Sequence, residues 1–450
     1  MRGSLRHQVG AHRFLLRRLD YAILGRSMPL DEDPLRAQRL AVRAGCACAA
    51  AVGALAVALA GLHPVVGDAA LVMSRQSGEL FVRVDDRLRP VANLASAYLI
   101  LGHPAAPRLV DDPALATIAR GPVLGIPGAP RSLGTAAMPA DLRWTVCDDR
   151  GGTTTVGADD AAEPPEAPAH HAVLVSAADG QLYLLTDGTR AAVDPADPVT
   201  ARALHLDGLK PRPVSTALLN AIPEVAAIGP PRIPGAGEPS GVAGFPVGSV
   251  LRTARAGSEE FYVVLREGTQ RVGRLTADLI RFADSGADAE IVSVAPEVVA
   301  GKAAADPLAV LTYPGEAPVI DDAPDELCAT WRGGRAGIAA GRMPAERPAG
   351  VELTTADGDG PNVDRVRMPA GRVIDVAAGM LTTDTGPSGR YLVTDAGVRF
   401  AVRDSTAAAA LGLTAPPTQI PWAIMATLPA GPELSREASI ARDVLATSSP

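Results

Sequence analysis

The sequence predicts an α+β protein. A single N-terminal transmembrane helix is followed by an elongated region beyond the membrane, with four small α+β repeats around a central, disulfide-closed core domain. Three observations predict it. Ala44 to Leu62 runs nineteen residues without a charge. A β-hairpin followed by a helix then recurs four times. Two distant stretches each set one Cys beside one Trp, at Trp144-Thr145-Val146-Cys147 and Cys328-Ala329-Thr330-Trp331.

His7 to Leu24 opens the chain as an amphipathic helix. Ala11, Leu15, Leu19, Ala22 and Ile23 fall on one face, Arg13, Arg17, Arg18 and Asp20 on the other, and Phe14 and Leu16 widen the apolar side. Such a helix suits anionic lipid or a partner protein, with Arg13, Phe14, Leu15, Arg17, Arg18 and Leu19 as the docking residues. A solvated helix that only sets topology is the alternative. Met28 to Pro34 reads as a turn with an acidic cap, opening a second helix at Leu35 that runs into the charge-free stretch.

As a helix rising about 1.5 Å per residue, that stretch covers roughly 28 Å, close to the ~30 Å hydrocarbon core of a bilayer. Residues 1–43 carry nine Arg against four acidic residues, a net of +5; the rest carries 33 basic and 46 acidic residues, a net of −13. Basic flanks stay in the cytoplasm, so the N-terminus is expected inside and the long body outside. Ala58-Leu59-Ala60 resembles a signal-peptide cleavage site, but a basic region of over forty residues is far longer than an ordinary one. An uncleaved anchor is therefore expected, with a cleaved signal or a buried Ala-rich core helix as the alternatives. Gly45, Ala49, Gly53 and Gly61 form a small-residue stripe, interrupted by Val57, that suits helix–helix packing. The same residues also fit the codon bias of a high-GC genome, since only Lys210 and Lys302 among 42 basic residues are Lys.

The recurring unit first spans Ser77 to Gly102, with strands either side of Asp85-Asp86 and a helix from Asn93. It returns from Asp179 with a turn at Asp187-Gly188, from Glu260 with a turn at Glu267-Gly268, and from Gly389 with a turn at Asp395-Ala396-Gly397. Phe81, Tyr183, Tyr262 and Tyr391 hold the same strand position. A further helix comes after three of the units, around Leu115, Leu218 and Trp422. Irregular spacing argues against a fixed-period solenoid. The boundaries expected are 1–42 for the basic region, 43–62 for the span, and 66–120, 166–235, 236–300 and 356–430 for the repeats. The core domain takes 121–165 and 301–355, and 431–450 is a polar tail.

Forty Pro and 45 Gly with few aromatics suit small, turn-rich units. Cys46 and Cys48 lie inside the span, whereas Cys147 and Cys328 are the two outside it, where an oxidising compartment lets them pair. Two separate buried thiols are the alternative.

Several segments together resemble the EccB family of actinobacterial type VII (ESX) secretion systems. They are Gln8-Val9, His12 to Leu19, Asp33-Pro34-Leu35-Arg36, Pro90-Val91-Ala92-Asn93-Leu94-Ala95-Ser96-Ala97, Gly121-Pro122 and Gly125-Ile126-Pro127-Gly128-Ala129-Pro130, in the family's order. The Ala-rich, Cys-containing span and the long acidic loop before His171 depart from its pattern. The resemblance implies a single-pass inner-membrane component, cytoplasmic at its N-terminus and periplasmic beyond, that scaffolds the periplasmic side of the export machine. It implies assembly with the EccC motor ATPase, EccD, EccE and the mycosin protease, and pairing with further copies of itself. It also brings a family label of ATPase activity.

The sequence offers that label little. A phosphate loop needs Gly-x-x-x-x-Gly-Lys-Ser/Thr, and the nearest match, ending Gly301-Lys302-Ala303, has Pro296 for its first Gly and no hydroxyl at Ala303. No cofactor is expected, and ATP only if the label holds. Asp357-Gly358-Asp359-Gly360 begins like a calcium loop, but Pro361 and Met368 replace ligands, so it reads as a turn. His170-His171 has no neighbouring ligands and reads as solvated. No metal or catalytic residue is assigned, and an acidic chain poor in aromatics disfavours nucleic acid. The expected function is a structural and assembly component, with an ATP hydrolase or a cell-wall-binding module as alternatives.

Overall fold

The computed structural model describes residues 2–26, 35–60, 66–136, 142–159, 168–242, 244–255, 257–283, 290–322, 324–341, 350–358, 360–379 and 389–440. The chain divides into two compact units, 1–67 with 109–116, and 68–108 with 117–450. The first holds the helices Arg2–Ile23 and Leu35–Ala60 and one helical turn, Asp112–Leu115. The turn predicted at 28–34 lies outside the described residues, as do Gly61 and Leu62 of the expected span and most of the acidic loop before His171.

Leu35–Ala60 runs through the charge-free stretch as one helix of 26 residues. Yet among the described residues no helix is long and apolar enough to cross a membrane. Arg36, Arg39 and Arg43 occupy its first part, and the residues after Arg43 carry no charge.

The second unit is built from one repeated topology. In the second repeat, His171–Ser176, Leu182–Thr186 and Thr189–Val193 meander antiparallel. The helix Pro198–Leu204 then returns the chain to Arg212–Pro213, which lies parallel to the first strand. The third repeat does the same with Val250–Arg255, Ser258–Leu265, Gly268–Val272, helix Arg274–Ala283 and return strand Val292–Ser293. The fourth uses Arg372–Gly379, Gly389–Val393, Arg399–Val402, helix Ser405–Ala410 and return strand Thr418–Pro421. The first repeat has the meander Leu71–Ser74, Leu80–Val84, Arg87–Val91 and the helix Leu94–Leu101.

Local chemistry sets these units. Asp85-Asp86 and Asp187-Gly188 all have positive φ, the two-residue hairpin turn that matches strand twist. Asn93, Asp197 and Asp404 cap the first helices with side-chain oxygens, and Gly102 ends the first of them in the left-handed region.

The repeats pack in pairs through their helices. Leu275 and Leu279 of the third enter the core of the second, beside Leu184 and Leu204. Ala95 and Leu99 of the first join Phe400, Ala407 and Leu411 of the fourth.

Between the pairs lies a six-stranded sheet, in the order Arg335–Gly341, Glu326–Arg332, Arg143–Asp149, Thr154–Asp159, Arg365–Arg367, Val351–Glu352. Its makeup moves three expected boundaries. Arg365–Arg367 pairs with Thr155–Gly157, so this part of 356–430 belongs to the central sheet. Within the stretch 301–355, Ala303 bridges to Thr269 and Val319 pairs with His171, joining the third and second repeats instead. The segment after Gly121 joins the first repeat: Val91 bridges to Leu124, and Asn93 donates to the Ile126 carbonyl at 2.8 Å.

Candidate functional site

The centre of the second unit is a bolt between distant chain segments. Arg143–Asp149 and Glu326–Arg332 pair antiparallel with Cys147 directly opposite Cys328 and Trp144 opposite Trp331. Cys147 and Cys328 form a disulfide across 181 residues, and both are buried. Cys46 and Cys48 are exposed free thiols. On the opposite face of the same sheet Trp144 and Val146 enter the largest core, together with Leu218 and Ile222 of the second repeat and Ile424 and Met425 of the fourth. The second helices of these two repeats, Thr216–Ala221 and Trp422–Ala426, thus supply its apolar lid.

Asp148, next to the bolt, ties the second repeat to this sheet. Its carboxylate accepts from the Ser215 amide at 2.7 Å, the Ser215 hydroxyl at 2.9 Å and the Thr154 hydroxyl at 3.0 Å. Ser215 in turn caps the helix Thr216–Ala221 through the Leu218 amide. Burial pushes the Asp148 carboxyl above its ordinary 3.8, against the pull of Ser215, Thr154 and the Arg212 charge. Arg212 donates to the Asp148 carbonyl at 2.7 Å and to the Pro324 carbonyl. Its own pKa is lowered, first by burial, although the Asp148 charge opposes this. Asp148, Arg212 and Ser215 escape sequence reading because no motif joins residues so far apart; Asp148 beside a Cys inside an apolar strand is the one available signal.

The family-type segments also come together. Ser96 Nα donates to Asn93 Oδ1 and Ile126 Nα to Ser96 Oγ, both at 2.9 Å, so Asn93-Leu94-Ala95-Ser96 and Gly125-Ile126-Pro127 form one hydrogen-bonded knot. The recurring aromatics each meet an arginine in three repeats: Arg120 over Phe81, Arg190 over Tyr183 and Arg399 over Tyr391. In the third repeat Arg274 covers Phe261, the neighbour of Tyr262.

The predicted docking residues stand on the helix Arg2–Ile23. Phe14, Leu15 and Leu19 are exposed along with Arg13, Arg17 and Arg18, so both the apolar and the basic face meet solvent. Gly45, Ala49 and Gly53 lie along Leu35–Ala60, also exposed, while Gly61 is outside the described residues.

Gly301-Lys302 comes after the C-terminal end of the short helix Pro296–Val299, and the Lys302 carbonyl accepts from Thr269. A phosphate cradle needs the opposite arrangement, a loop leading into a helix N-terminus. His171 is held at 2.8 Å by Asp321. Asp357 accepts from Asn362 and Asp364 from the Asp357 and Gly358 amides, which closes that loop as a turn.

The family model described as Type VII secretion system ESX-1, transport TM domain B, matches residues 2–447. The chain belongs to the EccB family. It is 32% identical to the ESX-5 secretion system ATPase EccB5 of Mycobacterium tuberculosis (strain ATCC 25618 / H37Rv), over 98% of this chain and 94% of that protein. It is similar to the periplasmic assembly from the ESX-5 inner membrane complex, with TM-score 0.65 and 30% identity over 84% of this chain and 97% of that one. It is also similar to the EccB3 dimer from the ESX-3 core complex, with TM-score 0.69 and 31% identity over 83% and 100%. These matches span both the disulfide-bolted body and, for the relative, the N-terminal helices.

Proposed function

We propose that this EccB-family chain is a structural and assembly component of a type VII secretion complex in the inner membrane, scaffolding its periplasmic side for protein export. The observation that carries the reading is the body itself: four repeats locked in pairs onto one sheet whose two chain segments are joined by Cys147–Cys328. A disulfide of this kind suits an oxidising compartment, and the excess of Arg before the apolar stretch suits a cytoplasmic N-terminus. On this reading Leu35 to Leu62 anchors the chain, with Gly45, Ala49, Gly53 and Gly61 facing other helices. The helix Arg2–Ile23 docks through Arg13, Phe14, Leu15, Arg17, Arg18 and Leu19 at the cytoplasmic base of the machine. Its partners are the EccC motor ATPase, EccD, EccE, the mycosin protease and a second copy of the chain. ATP hydrolysis is not part of this reading, since Gly301-Lys302 offers phosphate no helix N-terminus.

Deleting residues 2–26 from the tagged full chain tests it. Loss of the large complex on native electrophoresis, with the Cys147–Cys328 bond intact, is the expected result. Normal assembly of the truncated chain refutes the docking role.

A further inference from the structure

A carboxylate stands beside the disulfide. Glu326 lies two residues before Cys328 on the same strand face, and its Oε1 is 3.7 Å from Cys328 Sγ. Both sulfurs and a Glu326 oxygen lie within 4.8 Å of one another. Among the described residues this is the one group of three or more His, Cys, Asp and Glu side chains close enough to share a metal ion. Cys147 and Cys328 are buried and Glu326 is half-buried, so the group opens to solvent on the carboxylate side. Asp149 sits opposite Glu326, but its Oδ1 already accepts from the Gly151 and Thr153 amides.

We propose that the reduced chain binds one Zn²⁺-type thiophilic cation here, held by the Cys147 and Cys328 thiolates and the Glu326 carboxylate. A fourth position is left to water. The bolt is thus covalent when oxidised and metallic when reduced, and the segments 143–149 and 326–332 stay clamped in both states.

The chemistry balances with a dithiol as reductant. Its two thiols give two electrons and two protons to the protein disulfide, yielding two protein thiols and a cyclic disulfide. Zn²⁺ then displaces both thiol protons to solvent. Zn–S bonds of about 2.3 Å and Zn–O bonds of about 2.0–2.2 Å set tetrahedral ligands roughly 3.5 Å apart. The Glu326 oxygen already sits near that spacing, and side chains directly opposite on paired strands have Cβ atoms about 4.5–5.5 Å apart. Two buried thiolates beside a carboxylate repel one another unless a cation lies between them.

The test uses the full chain in detergent, native mass spectrometry and added Zn²⁺. One Zn²⁺ per chain after dithiol reduction and none before it is the expected result. Cys328→Ser abolishes binding, and Glu326→Gln weakens it by about tenfold or more. No stoichiometric Zn²⁺ on the reduced, folded chain overturns the proposal, as does Zn²⁺ retained by a Cys147→Ser/Cys328→Ser double variant. If reduction alone unfolds the central sheet, recovery of the near-ultraviolet tryptophan signal on adding Zn²⁺ supports the site. Failure to recover it at saturating Zn²⁺ overturns it.

Discussion

Replacing both Cys147 and Cys328 with Ala removes the one covalent link between two halves of the central sheet. The loop it closes spans 181 residues. In the chain-entropy model such a loop restricts the unfolded chain by about 5 kcal/mol at 25 °C, an upper value that native-state strain or residual unfolded structure reduces. The assay is guanidinium unfolding of the full chain in detergent with a metal chelator present. Tryptophan is a local reporter: Trp144 and Trp331 sit on the two bolted strands and Trp422 on a helix packed over them. With a slope of about 4 kcal/mol per molar, the midpoint falls by roughly 1 M. Amide exchange at 143–149 and 326–332 should rise before that at the repeat strands. A midpoint unchanged within error, or a loss under about 1 kcal/mol, refutes the reasoning; strand register and the apolar lid would then suffice.

Leu218→Ala empties a fully buried site where the second repeat meets the central sheet and should cost about 3 kcal/mol, read by denaturation. Gly188→Ala should cost about 2 kcal/mol or more. Its φ is +75° and an added Cβ would lie 2.4 Å from the Ala336 carbonyl oxygen, whereas Gly180→Ala, with φ +86° and open space, loses only the conformational part of about 1 kcal/mol. Asp197 titrates below its ordinary 3.8, chiefly because the Thr200 hydroxyl donates to it. A depressed carboxyl stabilises the fold above its unfolded pKa and loses that contribution as pH falls through the folded one. Amide protection of Pro198–Leu204 should therefore drop below about pH 3.8, and Asp197→Ala should abolish that pH step.

The hairpin–helix cores of the repeats were legible in the sequence because alternation, Asp-Gly-type turns and helix caps are local signals. The opening strand of each repeat was not. In His171–Ser176 and Arg372–Gly379 four and six successive residues are buried on both faces, so the two-residue alternation that marks a strand is absent. Return strands such as Arg212–Pro213 and Thr418–Pro421 are short and carry Pro, which argues against a strand until a partner edge is known. Cys147 and Cys328, each beside a Trp, pointed to the bolt from the chain alone. The Asp148–Ser215–Arg212 tie did not, since its partners are 67 and 64 residues from Asp148.

The scaffold role is tested most directly by crosslinking the tagged full chain in its native membrane, then gentle extraction, native electrophoresis and mass spectrometry. The expected result is a very large species holding at least two copies of this chain and an EccC-type motor ATPase. A lone monomer that persists after crosslinking would contradict that role.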